Sequence, residues 1–306
     1  MSLESESSQI LRTIKPNKIP NSLSQRLDAT LKDSHDMRVF GMGTLASMAN
    51  RERYVRFTSA LYGVYSTMER ELDECCEEVK KQQGGERVGN HTSTSAVASF
   101  WSKHSTTLRR AYHLKKDVVD ACRLMDTSSQ RRSCGQLPEL DKDDDSIYSP
   151  ATIDYMNAIR EAGRNDREKG TGRLLGHAYT RYLADLMGGS VLGTPTRVAL
   201  RLDEGMPTQY SFIFPAASVS VDHNSDVAMS RKEYVECIYS DLNEAGKILE
   251  EKKGDRGADN GVLLEEVVSE AREAFRHNVN VYAEEPIVFD SIVGLKNIVT
   301  GWAMQK

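Results

Sequence analysis

Residues 51–80 constrain the fold most: within them Val55, Thr58, Tyr62, Tyr65, Met68 and Leu72 recur at spacings of three and four. Such spacing places one face of a long helix against a core. Leu264, Val267, Val268, Ala271, Phe275, Asn278, Val279 and Tyr282 repeat the pattern near the C-terminus. No alternating stretch of useful strand length competes with them. The one aromatic run, Tyr210–Phe214, stops at Pro215 and reads as a buried connection. The expected fold is therefore all-α. Its helices are placed at 21–36, 50–81, 93–125 (with a possible break), 149–164, 168–200, 230–251 and 261–284, packed helix on helix in one domain.

Glycine, proline and charge punctuate these helices. Polar loops at 82–90, 126–150, 203–230 and 251–261 read as surface connections, the middle two as long insertions. Residues 1–20 read as a flexible N-terminal segment, 21–285 as the helical domain and 286–306 as a C-terminal helical segment. Ile287–Met304 is the most apolar run, but Asp290 and Lys296 interrupt it. It reads as a packed or interfacial helix, with no transmembrane anchor expected, because a span needs about 18 or more uninterrupted apolar residues. A net charge of −5 argues against a nucleic-acid binder, which would carry a basic face. The five cysteines, Cys75, Cys76, Cys122, Cys134 and Cys237, match no zinc or disulfide spacing. They read as free thiols in an intracellular reducing compartment, cytoplasm or organelle stroma. The N-terminal residues lack an apolar signal-peptide core.

The chemistry is concentrated in Leu174–Leu192, LLGHAYTRYLADLMGGSVL. Two adjacent glycines interrupt an otherwise strong helix, although each costs about 1 kcal/mol relative to alanine. The pair is either a helix end or a kink where bare backbone approaches something flat and large, and the pattern alone leaves both open.

HAYTRYLADLMGG resembles the distal-helix signature of mammalian-type heme oxygenases, HAYTRYLGDLSGG. The resemblance extends in family order through LSQRLDATLKDSH (23–35), SALYGVYSTMERELDE (59–74), FW (100–101), SPATIDYMNAIREAG (149–163), YSFIFP (210–215) and EEVVSEAREAFRHN (265–278), and covers roughly Ser22 to Glu285. It implies a heme oxygenase-like helical fold and heme as both cofactor and substrate. His35 falls on the proximal histidine that ligates iron as neutral imidazole. Gly188, Gly189 and Ala184 fall on the distal helix across the other heme face. Asp185, Arg181 and Tyr65 fall on the network that delivers a proton near bound oxygen. Tyr179 falls on a tyrosine that contacts a propionate, and Phe275 and Asn278 on pocket-lining positions. His177 falls on a structural residue.

Several positions depart from the pattern. Asp28 stands where the family has a lysine, Val235 and Tyr239 where it has a lysine and an arginine, and Val39 where it has a glutamate. Ala184 replaces a glycine and Met187 a serine. Heme propionates need cations, so these departures oppose what the glycine pair and Asp185 favour.

Two functions follow. One is a monomeric heme oxygenase that cleaves heme to biliverdin, carbon monoxide and ferrous iron. It would take electrons from an NADPH-dependent reductase or ferredoxin, because no dinucleotide fingerprint is present. The other is a non-catalytic heme oxygenase-like protein: a heme carrier, regulatory module or scaffold. A di-iron oxidase, a third class, would need Glu-x-x-His motifs, and Glu273 to His277 has the wrong spacing.

Overall fold

A computed structural model describes residues 15–34, 37–84, 95–125, 145–216, 228–254, 262–284 and 287–304. Among them the chain is all-α, with one isolated bridge pairing Ala216 with Ala228. The periodic stretch of residues 51–80 lies within the longest helix, α3 (Arg51–Gly84). Its inward stripe of Tyr54, Leu61, Tyr65, Met68 and Leu72 is buried. Around it pack α4 (Ala96–Leu108), α5 (Ala111–Arg123) and α6 (Pro150–Lys169).

The expected 93–125 helix is broken, and the reason is electrostatic. The buried Glu69 carboxylate on α3 accepts the N–H of Arg110 (2.6 Å) and of Ala111 (3.0 Å). It thereby caps the orphan donors that start α5.

Before α3 come α1 (Leu23–Ser34) and α2 (Met37–Ser47). The sequence reading placed no helix at 37–47, because Gly41 and Gly43 obscure its pattern. Packing overrides the propensity: a Cβ on Gly43 would lie 2.9 Å from the Tyr282 ring.

The expected 168–200 helix is three pieces: α7 (Arg173–Ala178), a π-helical turn over Tyr179–Leu183, and α8 (Ala184–Leu200). Asp166 at the end of α6 accepts the N–H groups of Arg173 and Leu174, both at 2.8 Å, and so starts α7. The chain then closes with α9 (Arg231–Gly254), α10 (Val262–Ala283) and α11 (Ile287–Met304). α7 crosses α10 so closely that a Cβ on Gly176 would stand 2.7 Å from the Val267 carbonyl oxygen. α11 lies against α2 and α8.

Two expectations are corrected here. The irregularity in the distal helix is the π turn at 179–183 and not the glycine pair; α8 runs unbroken through Gly188 and Gly189. The Thr180 hydroxyl donates to the Gly176 carbonyl oxygen (2.9 Å), one turn back. The Tyr210–Phe214 connection is not buried: Tyr210, Phe212 and Phe214 turn inward while Ile213 is 89% exposed.

Candidate functional site

The π turn and α8 form one wall of two adjoining cavities. The larger, about 510 Å3, reaches from Phe40, Gly41 and Thr44 of α2 across Arg181, Asp185 and Gly188 to Tyr210, Asn278 and Tyr282. The smaller, about 370 Å3, is bounded by Leu31 of α1, Tyr179, Leu183 and Met187. Thr180, Ala184, Gly188 and Phe275 line both. The combined hollow is a slot between α1 and α2 on one side and the distal helix on the other, in the size range of ligand pockets.

The glycine pair divides its labour. A Cβ on Gly188 would meet nothing within 4 Å, so its main chain faces open space in the slot. A Cβ on Gly189 would stand 2.8 Å from Tyr210 Cδ1. Gly189 is therefore the bed for the Tyr210 ring, while Gly188 is the bare surface. Tyr210 is set there by its neighbours. Buried Asp117 of α5 accepts the N–H groups of Thr208 (2.7 Å) and Gln209 (2.9 Å). Buried Arg110 donates to the Ser211 carbonyl oxygen (2.6 Å).

Three of the expected catalytic residues converge as one network. The Tyr65 hydroxyl donates to Asp185 Oδ2. The Arg181 guanidinium lies 3.9 Å from Asp185 Oδ1, sits over the Tyr65 ring at 5.0 Å, and donates to Asn278 Oδ1 at 2.9 Å. Arg181 is almost wholly buried and its Nε has no partner. Burial holds the Asp185 carboxyl above the usual carboxylate range, with the Arg181 charge and the Tyr65 hydrogen bond opposing it only in part. Burial likewise raises the Tyr65 phenol, which remains a donor.

Tyr179 stands apart from this network. Its hydroxyl donates to Asp28 Oδ1 at 2.8 Å, Asn17 donates to Asp28 Oδ2 at 2.7 Å, and Tyr239 hydrogen-bonds the same carboxylate. Two of the departures noted in the sequence, Asp28 and Tyr239, are thus partners of each other. Tyr179 lines the smaller cavity, so this carboxylate cluster reaches the slot through its ring. Val235 packs against the core and Val39 is half-buried. Arg231 donates to the Leu186 carbonyl oxygen and sits over Phe212, while Arg276 pairs with Glu273 on the surface. His35 lies outside the described residues, as do the side chains of Lys32 and Asp36.

His177 is buried and bonded through Nε2 to Glu270 at 3.0 Å, a structural placement. Sequence reasoning missed Phe40, Gly41 and Thr44, because it missed their helix. It also quoted Tyr210 only as part of a motif. Among the described residues, no group of three or more His, Cys, Asp or Glu is placed to hold a metal ion.

A sequence model of heme oxygenases matches residues 99–253, about half of the chain. The chain belongs to the heme oxygenase family. Heme oxygenase 2 of Rattus norvegicus is 26% identical over 266 residues, 86% of this chain and 65% of the rat protein. The chain thus spans just under two thirds of that relative. Heme oxygenase 1 of a Nostoc species is 25% identical over 267 residues, 86% of each protein. Among solved structures, heme oxygenase 2 from Chlamydomonas reinhardtii without heme superposes with a TM-score of 0.59 at 19% identity. It covers 88% of this chain and all of that one. Heme oxygenase-2 from Synechocystis in complex with heme and NO gives 0.55 at 21%, over 86% and 84%. These likenesses establish the heme oxygenase fold, and the slot lies between the two walls that carry the family motifs.

Proposed function

We propose that this heme oxygenase family member binds heme in the slot and opens it to biliverdin, carbon monoxide and ferrous iron. The observation that carries the reading is the Tyr65–Asp185–Arg181–Asn278 network set in the slot wall one turn from bare Gly188. Flat apolar walls, an open main-chain face and a buried guanidinium with a spare N–H suit a macrocycle with a polar small ligand on one side. Bound heme would supply the iron that activates oxygen and the porphyrin edge that is opened. His35 would hold the iron, with Leu31 one turn earlier against the macrocycle. Gly188 would allow the close approach that an ordinary side chain blocks. Asp185 would hold and release a proton at Oδ1, the oxygen that Tyr65 leaves free. Its raised pKa keeps that proton available nearer to neutral pH than an ordinary aspartate would. Arg181 would fix the carboxylate, and Phe275 and Leu183 would exclude bulk water.

Electrons would come from a separate reductase or ferredoxin. A reducing compartment suits the free thiols Cys75, Cys76, Cys122 and Cys237; burial pushes the Cys75 thiol up to about 12, which keeps it inert.

A second reading, a relative that carries heme or has lost it, is favoured by one observation. The propionate edge holds Asp28 bonded to Tyr179, Tyr239 and Asn17 where two carboxylates of heme would need cations. The deciding experiment is heme titration of the purified protein followed by reduction in air. Oxygenase action gives a stoichiometric Soret band, altered in His35→Ala, and then biliverdin absorption. A stable band without product supports the carrier, and no band at all sinks the oxygenase and leaves a relative that has lost heme.

A further inference from the structure

A further hollow, about 400 Å3, lies outside the slot where the C-terminal ends of α8 and α11 meet. The slot's larger cavity reaches Pro195 of α8 and Ile298 of α11. The hollow begins one turn further on, at Val198 and Gly301. Their contact divides the two spaces, since a Cβ on Gly301 would lie 2.5 Å from Val198 Cγ1. Buried Val198 and Leu202 give the hollow an apolar floor, and Met304 gives it an apolar side. Arg197 and Arg201 flank it, one turn apart at the end of α8. Among the described residues the Arg197 guanidinium makes no hydrogen bond or ion pair, and that of Arg201 donates only to Met304 Sδ, at 3.6 Å. Elsewhere arginines are matched to acids: Arg26 with Glu265, Arg53 with Asp290, Arg160 with Asp145 and Arg167 with Glu71. The backbone beneath the pair is fixed. Arg201 takes the left-handed conformation (φ 50°), which a residue with a Cβ adopts at a cost, and the Leu202 N–H closes on the Arg197 carbonyl oxygen at 3.0 Å. The last carbonyls of a helix would repel an anion. Here Arg51 covers them, donating to those of Leu200 (3.0 Å) and Arg201 (2.9 Å).

We infer that this hollow binds an amphipathic carboxylate, with the carboxylate held by Arg197 and Arg201 and the apolar body on Val198, Leu202 and Met304. Side chains four apart on a helix are neighbours, so both guanidinium forks can serve one anionic group, and their planar geometry matches a carboxylate. The floor selects the rest of the ligand, because apolar surface adds affinity only to a molecule that brings apolar surface to it. Exposed Glu204 on the rim opposes a doubly charged phosphate more than a singly charged carboxylate. Two sources carry this chemistry. One is a long-chain alkyl carboxylate. The other is a linear tetrapyrrole with two propionates, the product class of the proposed reaction, released from the adjoining slot. The second source rests on that reaction; the site itself does not.

The test uses the full chain without heme. Titration calorimetry with dodecanoate, below its micelle concentration, should show saturable binding, and dodecanol should bind at least about tenfold more weakly. Arg197→Met combined with Arg201→Met should weaken dodecanoate at least about tenfold. The thermal midpoint should hold, because neither guanidinium is engaged in the fold. A wild-type crystal soaked in dodecanoate should show the carboxylate between the two arginines, a readout that needs no variant to fold. Biliverdin that displaces dodecanoate assigns the site to the tetrapyrrole; biliverdin that fails to displace it assigns the site to the alkyl carboxylate. The inference fails if dodecanoate does not bind, if dodecanol binds as tightly, if the arginine pair is replaced without loss, or if the soaked density lies elsewhere. None of these results bears on heme in the slot, which the Soret titration reads separately.

Discussion

Gly188→Ala and Gly189→Ala, neighbours on one helix, should differ in sign. Both sit inside α8, where alanine is favoured over glycine by about 1 kcal/mol. At Gly188 an added Cβ meets nothing within 4 Å, so the ligand-free protein should gain that stability, about 2 °C in thermal midpoint for a chain of this size. The same methyl points into the slot. A flat ligand resting on the main chain would have to retreat by about 1 Å or more, losing a quarter to a half of each dispersion contact there. With overpacking at about 1–3 kcal/mol, heme affinity should fall on the order of tenfold or more. At Gly189 the new Cβ lies 2.8 Å from the Tyr210 ring, so Gly189→Ala should destabilise the protein by about 1 kcal/mol net as Tyr210 is displaced. Differential scanning calorimetry of the ligand-free variants and Soret titration read both quantities. A Gly188→Ala variant that is less stable than wild type, or that binds heme as tightly, would refute the division of labour between the two glycines.

Other outcomes follow from the same structure. Arg181→Met removes the donor to Asn278 and a cation near Asp185 and should destabilise by about 1–3 kcal/mol in urea melts. Glu270 has its carboxyl held low: burial raises it, but the hydrogen bond from His177 and its charge outweigh that. That stability is present above the ordinary glutamate value and lost as pH falls through the lowered one. Glu270→Gln should therefore be less stable than wild type at neutral pH by about 1 kcal/mol, and the two melting curves should converge as pH drops below 4.5. Asp28→Asn removes a carboxylate from the propionate edge and should tighten heme binding severalfold by titration. Weaker binding would mean that Asp28 orients Tyr179 for the ligand.

Much of this was legible in residues. The stripe from Val55 to Leu72 announced the central helix, because burial on one face enforces a 3.6 period. HAYTRYL and the glycine pair pointed to the slot wall, and Tyr65, Arg181 and Asp185 meet as their motif implied. What stayed hidden depends on distant partners. The break at Arg110 comes from Glu69, forty-one residues away. The π turn leaves no mark in composition, so the irregularity was assigned to the glycines. The helix at 37–47 hid behind two glycines whose reasons lie in Tyr282 and in the open slot. That Asp28 and Tyr239 answer each other could not be read from either position alone.

The most direct test of the slot is a crystal structure of the protein grown with heme. The account predicts planar density in contact with the Gly188 main chain, with Leu31 on the opposite face and Asp185 on the Gly188 side. Density seated elsewhere on the molecule, or a slot closed by Phe275 and Met187 with heme outside it, would contradict it.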